Sequence, residues 1–404
     1  MSLILKQNWA NKTIWTGDNL PIMRGMNSDN IDLIYLDPPF NSNANYAAPI
    51  GSKAAGAEFK DTWNLTDIDI AWLDLIEAKH PRLHRVIQAA MTDSDKSYLV
   101  YMAVRLLEMN RLLKPTGSIY LHCDPTMSHY LKLVMDAIFG KSQFRNEIVW
   151  GYSGPAKATK NFTRKHDLIL FYSKSNHSYF NFDAVRIKHK RQTVSGGVGM
   201  AAGNRTLLEV QAAEIEQIKK GKLCPDWWQD IGSGSHMPKL ERTGYPTQKP
   251  LALLDRIIQA SSNKDDMVFD PFCGCATTCV SADALNRQWV GIDISEKAAE
   301  LVRQRINDLT RKIIHRKDIP HRTDLGKLLP YNSTKNKTKL YGYQKGICNG
   351  CSIHFEYRNL EVDHIISRKE GGTDHLDNLQ LLCGNCNRVK GDRGMEYLRS
   401  KFQF

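Results

Sequence analysis

The stretch IDLIYLDPPF, residues 31–40, decides the fold of this 404-residue chain. Residues 31–36 form an apolar, partly β-branched run, which predicts a buried strand. The two prolines remove backbone donors and fix φ, so the strand ends before them. Asp37 therefore follows the carboxyl end of a strand, which is where open α/β sheets bind their ligands.

Similar segments recur along the first three quarters of the chain. In segment 97–113 apolar residues recur at helical spacing, which predicts an amphipathic helix. Strands that alternate with helices indicate parallel β-α-β units, so we predict an α/β fold. Further strands are predicted at 118–121, 267–269 and 289–292, a turn at 115–117, and further helices at 127–139 and 250–261.

Asp37, Pro38, Pro39 and Phe40 suit a reaction at an exocyclic amine, and we predict that they are catalytic. Such an amine is a poor nucleophile because its lone pair is delocalised into the ring. The carboxylate of Asp37 and the carbonyl of Pro38 can accept the two amino hydrogens, which frees the lone pair for attack. The ring of Phe40 can stack on a base that has left the duplex. An ordinary Asp-Pro turn is the alternative interpretation of this motif alone.

A second motif, DPFCGCATT at residues 270–278, follows the strand predicted at 267–269. Small residues allow the backbone to approach a ligand, and the helix that follows offers its N-terminus to a carboxylate. Asp293 ends the next strand, 23 positions after Asp270, which suits a carboxylate that binds ribose hydroxyls. The combination predicts a cofactor site.

These segments resemble the β-type DNA amino-methyltransferases, in which the catalytic motif precedes the cofactor motif. The resemblance covers residues 1–310 and also rests on residues 15–19 (WTGDN), 117–124 (GSIYLHCD) and 245–250 (YPTQKP). It implies a Rossmann-like fold, S-adenosylmethionine as methyl donor and double-stranded DNA as partner. The cofactor-binding residues that it implies are Asp18, Asp37, Lys249, Asp270, Phe272, Gly274, Thr277 and Asp293.

Two details of the motifs refine this expectation. Aspartate in the catalytic motif resembles the adenine-N6 enzymes, whereas serine is commoner in the cytosine-N4 enzymes, which remain the alternative. The family turn usually reads F-x-G-x-G, but this chain has Ala276 at the last glycine. If that position requires a positive φ, alanine costs about 1 kcal/mol, and we expect weaker cofactor binding.

Three segments are interpreted from composition. Residues 41–66 are rich in Asn, Ala, Gly and Ser, and we expect a mobile loop that closes over cofactor and base. Residues 150–245 mix basic and aromatic side chains, which suits an inserted target-recognition region. Residues 311–339 are interpreted as a basic linker to a compact domain at 340–404.

The C-terminal domain contains two CxxC pairs, Cys348 with Cys351 and Cys383 with Cys386. This spacing favours a metal over disulfides in an intracellular protein. Four thiolates suit tetrahedral Zn²⁺, and a structural zinc site can supply much of a small domain's folding free energy.

Between the pairs, residues 360–366 (LEVDHII) and the later Asn-Arg-Val-Lys resemble the HNH (ββα-metal) nucleases. The resemblance implies that Asp363 and Asn387 bind Mg²⁺ or Mn²⁺, that His364 is the general base, and that Asn378 braces its loop. His354 and His375 are interpreted as surface residues. An inactive HNH fold that only binds DNA is the alternative.

The formal net charge of +12 and the pI of about 9.1 favour a polyanionic partner. The apolar runs are shorter than the roughly 18 residues of a membrane span, and the start lacks a secretory pattern, so we predict a soluble cytoplasmic protein. The predicted function is site-specific adenine-N6 methylation of DNA, with an HNH domain that cleaves or nicks it and a homodimer as one option. The rivals are a DNA-binding regulator built from two decayed enzyme domains and an enzyme that acts on RNA.

Overall fold

The computed structural model describes residues 7–42, 44–48, 52–55, 58–65, 67–154, 158–188, 215–233, 236–306 and 313–401. The strands are β1 (Thr13–Thr16), β2 (Ile31–Leu36), β3 (Ala44–Ala47), β4 (Glu58–Asp61), β5 (Leu113–Cys123), β6 (Phe144–Gly151), β7 (His166–Ser173), β8 (Trp227–Trp228), β9 (Met267–Asp270), β10 (Gln288–Asp293), β11 (Ile314–Arg316), β12 (Leu360–His364) and β13 (Leu379–Cys383). The helices are α1 (Asn19–Gly25), α2 (Asp67–Lys79), α3 (Pro81–Gln88), α4 (Asp93–Leu112), α5 (Ser128–Phe139), α6 (215–220), α7 (Leu251–Ser261), α8 (Thr277–Ala284), α9 (Glu296–Arg305), α10 (Thr334–Gln344), α11 (Gly384–Lys390) and α12 (Met395–Lys401).

One large sheet with the strand order β11-β1-β10-β9-β2-β5-β7-β6-β8 organises the first domain. Strands β11 to β5 of this order pair in parallel, and β7 pairs antiparallel with both β5 and β6. Helices α1 and α3 to α5 bury their apolar side chains on one face, and α7 to α9 bury theirs on the other. The predicted Rossmann-like α/β fold is confirmed. In the part of the chain that the structure describes, no helix is long and apolar enough to cross a membrane.

The predicted elements are present, with one local difference. The turn expected at residues 115–117 lies within β5, because the strand pairing with β2 jumps there from Leu113 to Ser118. Pro115 and Gly117 thus form an irregular segment inside a strand, not a loop between a helix and a strand. Helix α4 runs directly into β5 without a separate connection.

The range 150–245, expected to form an inserted recognition region, includes a strand of the central sheet, and its role in target recognition stays a prediction. Strand β7 lies within that range and pairs with β5 over six residues, so it belongs to the central sheet. Its side chains are largely buried. Of the basic residues that suggested an insertion, Lys160, Arg164 and Lys165 lie in the loop before β7 and Lys188 lies after it. Residues 155–157, 189–214 and 234–235 of the range lie outside the described residues.

The loop expected at residues 41–66 contains regular structure. Strands β3 and β4 pair as an antiparallel two-stranded sheet, from Ala44 with Asp61 to Ala47 with Glu58. Residues 43, 49–51, 56–57 and 66 lie outside the described part. The small and polar residues of this segment suggested a loop, but they form a hairpin. Backbone pairing and the buried Asp61 hold the base of the hairpin together.

The C-terminal domain consists of the β12–β13 hairpin with α10, α11 and α12 packed around one small core. Leu340 of α10 belongs to that core, and β11 extends the sheet of the first domain. The segment predicted as a basic linker is thus partly built into both domains. Helix α12 packs against α2, and a Cβ at Gly371 would lie 2.5 Å from the carbonyl oxygen of Pro21, so the two domains are in close contact.

Candidate active site

The carboxyl ends of β2, β9 and β10 meet at one edge of the sheet, because these strands are parallel neighbours. A cavity of about 710 Å³ opens there, and we call it the first cavity. Asp37 and Asp293 both line it, although 256 positions separate them in the chain. The structure therefore brings together all of the predicted catalytic and cofactor-binding residues of this domain: Asp18, Asp37, Pro38, Pro39, Phe40, Lys249, Asp270, Phe272, Gly274, Thr277 and Asp293.

Asp37 has one occupied and one available carboxylate oxygen. Its Oδ2 accepts a hydrogen bond of 2.5 Å from Nζ of Lys249, and both side chains are mostly buried. Its Oδ1 is buried and accepts no hydrogen bond from the described residues. Lys249 also lies 5.2 Å from the centre of the Phe40 ring. A carboxylate that is paired with a lysine and has one acceptor atom left over can accept a hydrogen bond from an amine in the cavity.

The glycine turn between β9 and α8 is held by Asp293. The backbone N–H of Gly274 donates to its Oδ2 at 2.8 Å, and that of Ser295 donates to its Oδ1 at 2.8 Å. Burial raises the pKa of Asp293. A Cβ at Gly274, where φ is +48°, would lie 3.0 Å from the ring of Tyr245. The turn therefore requires glycine to keep its backbone this close to the cavity wall.

Asp270, at the end of β9, stabilises the same turn. It accepts hydrogen bonds from the backbone N–H of Phe272 at 3.0 Å and from the hydroxyl of Thr278 at 2.5 Å. Burial raises the pKa of Asp270 to about 7. The φ of Ala276 is +58°, so the alanine does occupy the left-handed region that the sequence comparison with F-x-G-x-G implied.

Asp18 lies at the start of α1 and is fixed by two donors. The backbone N–H of Leu20 donates to it at 3.0 Å, and the guanidinium of Arg105 donates to it at 2.8 Å. Arg105 in turn stacks on Tyr101, with 3.5 Å between guanidinium carbon and ring centre. Sequence reasoning missed Arg105 and Tyr101, which both line the first cavity. Arg105 is seven positions after Tyr98, so it lies on the apolar face of the predicted helix. A charged residue on that face was the sequence feature that could have identified Arg105 as a functional residue.

Asp61 organises the backbone that follows the catalytic motif, and sequence reasoning missed it as well. Its carboxylate accepts from the backbone N–H groups of Phe40 at 3.1 Å, Asn41 at 2.7 Å and Ser42 at 2.8 Å. Asn41 has a positive φ of 59°, so the chain turns sharply there. No sequence spacing connects an aspartate at the end of β4 with this turn, because the contact is purely tertiary.

A buried histidine supports Phe40. The rings of Phe40 and His122 stack, with 5.7 Å between centres and 24° between planes. Nδ1 of His122 lies 2.9 Å from the hydroxyl of Tyr35, and its Nε2 lies 3.2 Å from Oδ2 of Asp167. Since both ring nitrogens have partners, the imidazole plane that faces Phe40 is fixed.

Beside Phe40 a second cavity of about 460 Å³ adjoins the first. The two cavities share Phe40 and Lys249 as lining residues. Aromatic and polar side chains of β6 and β7, including Trp150 and Asp167, form part of its wall. A planar ring that stacks on Phe40 would thus lie next to Asp37.

The C-terminal domain brings its four predicted zinc ligands together. The Sγ atoms of Cys348, Cys351, Cys383 and Cys386 all lie within 4.8 Å of one another. Four sulfurs at a Zn–S distance of about 2.3 Å would be about 3.8 Å apart, so the cluster fits tetrahedral zinc. The donor set contains only thiols, which suits a closed structural site.

The predicted nuclease residues are linked to neighbours that the sequence did not indicate. Asp363 accepts from Nε2 of Gln380 at 3.0 Å and lies 2.9 Å from Nζ of the buried Lys390. Nδ2 of Asn387 donates to Glu361 at 2.5 Å. Side chains alternate along a strand, so Glu361 and Asp363 of β12 share a face.

His364 extends from the other face of β12. Its Nε2 lies 2.9 Å from Oδ1 of Asp374, and its ring packs against Tyr331 with 4.8 Å between centres. Asn378 donates to the carbonyls of Ile366 at 3.0 Å and Thr373 at 2.8 Å, a geometry that fits its predicted bracing role. His354 is exposed and the side chain of His375 is 45% exposed, as expected of surface residues.

Comparison with known families separates the chain into the same two parts. Residues 31–304 match the model of the N6/N4 family described as DNA methylase. This chain belongs to the DNA methylase family. Residues 348–393 of the methylase match the model described as HNH endonuclease. The predicted fusion of a methyltransferase with an HNH domain is confirmed.

Curated relatives align over most of the methylase. The Type II methyltransferase M.EcaI of Enterobacter cloacae is 28% identical over 359 residues, which cover 75% of this chain and 70% of the relative. The DNA adenine methyltransferase YhdJ of Escherichia coli K12 is 28% identical over 298 residues, which cover 73% of this chain and 83% of the relative. Among solved structures, the M1.HpyAVI complex with SAM matches with a TM-score of 0.41 and 18% identity, covering 73% of this chain and 99% of the other. The cytosine-N4-specific PvuII DNA methyltransferase matches with a TM-score of 0.44 and 14% identity, covering 75% of this chain and 89% of the other.

Proposed function

We propose that this DNA methylase transfers a methyl group from S-adenosylmethionine to N6 of adenine in double-stranded DNA. The observation that carries the proposal is the buried Oδ1 of Asp37, which accepts no hydrogen bond from the described residues. Asp37 and the carbonyl of Pro38 accept hydrogen bonds from the two amino N–H groups, which frees the nitrogen lone pair. The new N–C bond forms as the methyl C–S bond breaks, the donor leaves as a neutral thioether, and the surplus amino proton passes to Asp37. Phe40 stacks on the base and holds its edge at Asp37.

The first cavity suits the proposed methyl donor. The donor supplies an electrophilic methyl group on a sulfonium centre. The Gly274 turn keeps its backbone at the cavity wall, and each oxygen of Asp293 accepts one backbone N–H and retains a lone pair for a hydroxyl. Asp18, fixed by Arg105, offers a further acceptor in the same cavity.

Adenine is preferred over cytosine because the catalytic motif carries aspartate. The relative YhdJ is named a DNA adenine methyltransferase, which agrees with this preference. Cytosine N4 is the second candidate, since it is also an exocyclic amine and needs the same two acceptors.

Methyl transfer is tested with radiolabelled S-adenosylmethionine and duplex DNA. We expect wild type and the control Asp183→Ala to label DNA equally, since Asp183 pairs with Arg186 on the exposed surface. Asp37→Ala should lose at least about a hundredfold in rate, as expected when a positioned acid–base group is removed. Mass analysis of the digested DNA should give N6-methyladenine. N4-methylcytosine, or equal labelling by Asp37→Ala, would contradict the proposal.

We further propose that the HNH domain cleaves or nicks DNA and that methylation of the recognised site protects it. Support comes from the β12–β13–α11 arrangement, in which Asp363, His364 and Asn387 lie on consecutive elements of one small unit. In this proposal zinc at the four cysteines is structural, and Mg²⁺ or Mn²⁺ at Asp363 and Asn387 assists cleavage. A protein that acts on DNA in this way works inside the cell. The proposed assembly is a homodimer, which light scattering would test.

Cleavage is tested on unmethylated and premethylated plasmid with Mg²⁺ or Mn²⁺. Wild type should cut or nick only the unmethylated plasmid, and His364→Ala should leave both plasmids intact. His354→Ala is the matched control, because His354 is an exposed histidine of the same domain. Intact plasmid with wild-type protein under all conditions would favour a domain that only binds DNA.

A further inference from the structure

Two apolar side chains of the methylase are almost completely exposed. Phe162 is 99% exposed and Leu240 is 96% exposed, the two highest values among the large hydrophobic residues of the described ranges. Soluble proteins tolerate single exposed apolar residues, so exposure alone does not indicate a role. What matters is where the two lie.

Phe162 belongs to the loop between β6 and β7. The base of this loop is closed by a hydrogen bond of 3.0 Å from the backbone N–H of Tyr152 to the carbonyl of Lys165. Tyr152 and Asp167, at the two feet of the loop, both line the second cavity. The start of β7 pairs with Cys123 at the carboxyl end of β5, so the loop lies at the same sheet edge as Asp37.

Leu240 belongs to a different segment that borders the same cavity. Met237 and Arg242, on either side of it, line the second cavity. The side chain of Gln248 donates to the carbonyl of Glu241 at 2.8 Å, which ties this segment to the residue before Lys249. Phe162 and Leu240 thus belong to two separate segments, and each segment contributes lining residues to the second cavity.

Cations surround both residues. Lys160 and Arg164 are exposed beside Phe162, and Lys239 is exposed beside Leu240. Cations that flank an apolar tip suit the backbone of DNA, because they meet phosphates while the tip meets stacked bases. A protein partner would offer fewer phosphate-like charges to such a rim.

We propose that Phe162 and Leu240 are wedge residues that enter the DNA duplex when the target base turns into the second cavity. They fill the gap that the base leaves and stack on the neighbouring pairs, so the base does not return. The inference rests on the proposed methylation of a base in duplex DNA, and it makes both residues positioning residues that do not touch the reacting atoms.

The experiment compares methylation of one target in two contexts. In the first, the target base is paired in a perfect duplex, and in the second, it lies opposite an abasic site and is already unpaired. Phe162→Ala should lower kcat/KM on the paired target by roughly tenfold or more, because the variant no longer compensates for unstacking the target base. On the unpaired target the same variant should be close to wild type, and Leu240→Ala should behave likewise with a smaller loss.

Phe182→Ala is the matched control. Phe182 is also an exposed phenylalanine, 51% exposed and near Arg186, but it follows the end of β7 at the opposite sheet edge. It should be unchanged on both substrates. Fluorescence of 2-aminopurine at the target position should rise on binding of wild type and less with Phe162→Ala.

The inference is overturned if Phe162→Ala and Leu240→Ala match the control on the paired target, or if they lose equally on paired and unpaired targets. Both side chains are exposed, so unchanged thermal unfolding is expected for the variants. If wild type methylates neither substrate, the proposed function itself fails, which is a different outcome from loss in the variants alone.

Discussion

The two sites of this methylase both place a buried lysine beside the aspartate that the sequence motif marks as functional. In the first domain Lys249 lies 2.5 Å from Asp37, and in the C-terminal domain Lys390 lies 2.9 Å from Asp363. The same pairing has opposite consequences for the two proposed reactions. A neutral amine needs a fixed acceptor, and Lys249 holds the acceptor Asp37 in place by donating to it, whereas a divalent cation at Asp363 would have to share its ligand with Lys390.

The two sites also differ in how they are assembled. The first cavity collects residues from both ends of a domain of about three hundred residues, so it exists only when the whole sheet has formed. The C-terminal site is built within a few dozen residues and has a small core of its own. Small domains of this kind often need a metal to be stable.

The largest effect is expected for the cysteine cluster. Cys383→Ser, or chelation of zinc, should unfold the C-terminal domain, since structural zinc contributes about 10 kcal/mol or more of apparent folding free energy. Proteolysis followed by mass analysis should show cleavage after residue 333 and an intact first domain that still methylates. Cys224→Ser is the control, because Cys224 is half-buried and lies outside the cluster. Loss of methylation together with the C-terminal fold would show that the domains are not independent.

The next effect concerns the lysine of the first site. Lys249→Met should reduce the methylation rate by roughly a hundredfold, because breaking a buried ion pair leaves an uncompensated charge that costs about 3 kcal/mol. Lys297→Met removes a cation from an exposed pair with Glu300 and should change the rate by less than about twofold. Steady-state kinetics measures both variants. Equal rates would show that Lys249 is not needed to position Asp37.

Lys390→Met sharpens the contrast between the two lysines. Without divalent ions the variant should unfold at a lower temperature than wild type, because Asp363 loses its buried partner. Addition of Mg²⁺ or Mn²⁺ should restore more stability to the variant than to wild type, since the ion replaces the lost charge. Thermal unfolding with and without the ion measures this, and identical ion-dependent shifts in both proteins would argue against competition at Asp363.

The smallest effect is expected at the strained turn. Ala276→Gly should raise stability by about 1 kcal/mol and strengthen cofactor binding several-fold, because glycine adopts the positive φ of this position without steric cost. Ala282→Gly, in the middle of α8, should instead lower stability by about 1 kcal/mol. Thermal unfolding and calorimetric titration with S-adenosylmethionine give the two values. Equal destabilisation by both changes would mean that φ at residue 276 is not strained.

Local patterns were sufficient for the strands that lead into the two motifs and for the motif residues. The run at residues 31–36 and the DPPF that follows predicted both β2 and the position of Asp37, because strand burial and proline geometry are local properties. The expected mobile loop at 41–66 and the expected insertion at 150–245 were less successful. Composition alone does not reveal that β3 pairs with β4 or that β7 lies in the central sheet, since strand pairing depends on distant partners.

By itself the sequence determined the strands that precede the two motifs, the two cysteine pairs and the acidic residues that end those strands. Only the tertiary structure decided that Lys249 meets Asp37, that Asp61 holds the backbone after Phe40, and that the segments of Phe162 and Leu240 both contribute lining residues to one cavity. The physical reason is that propensity, proline and CxxC spacing act within a few residues. Buried charge pairs and cavity rims are formed by side chains that the folded sheet brings together from far apart in the chain.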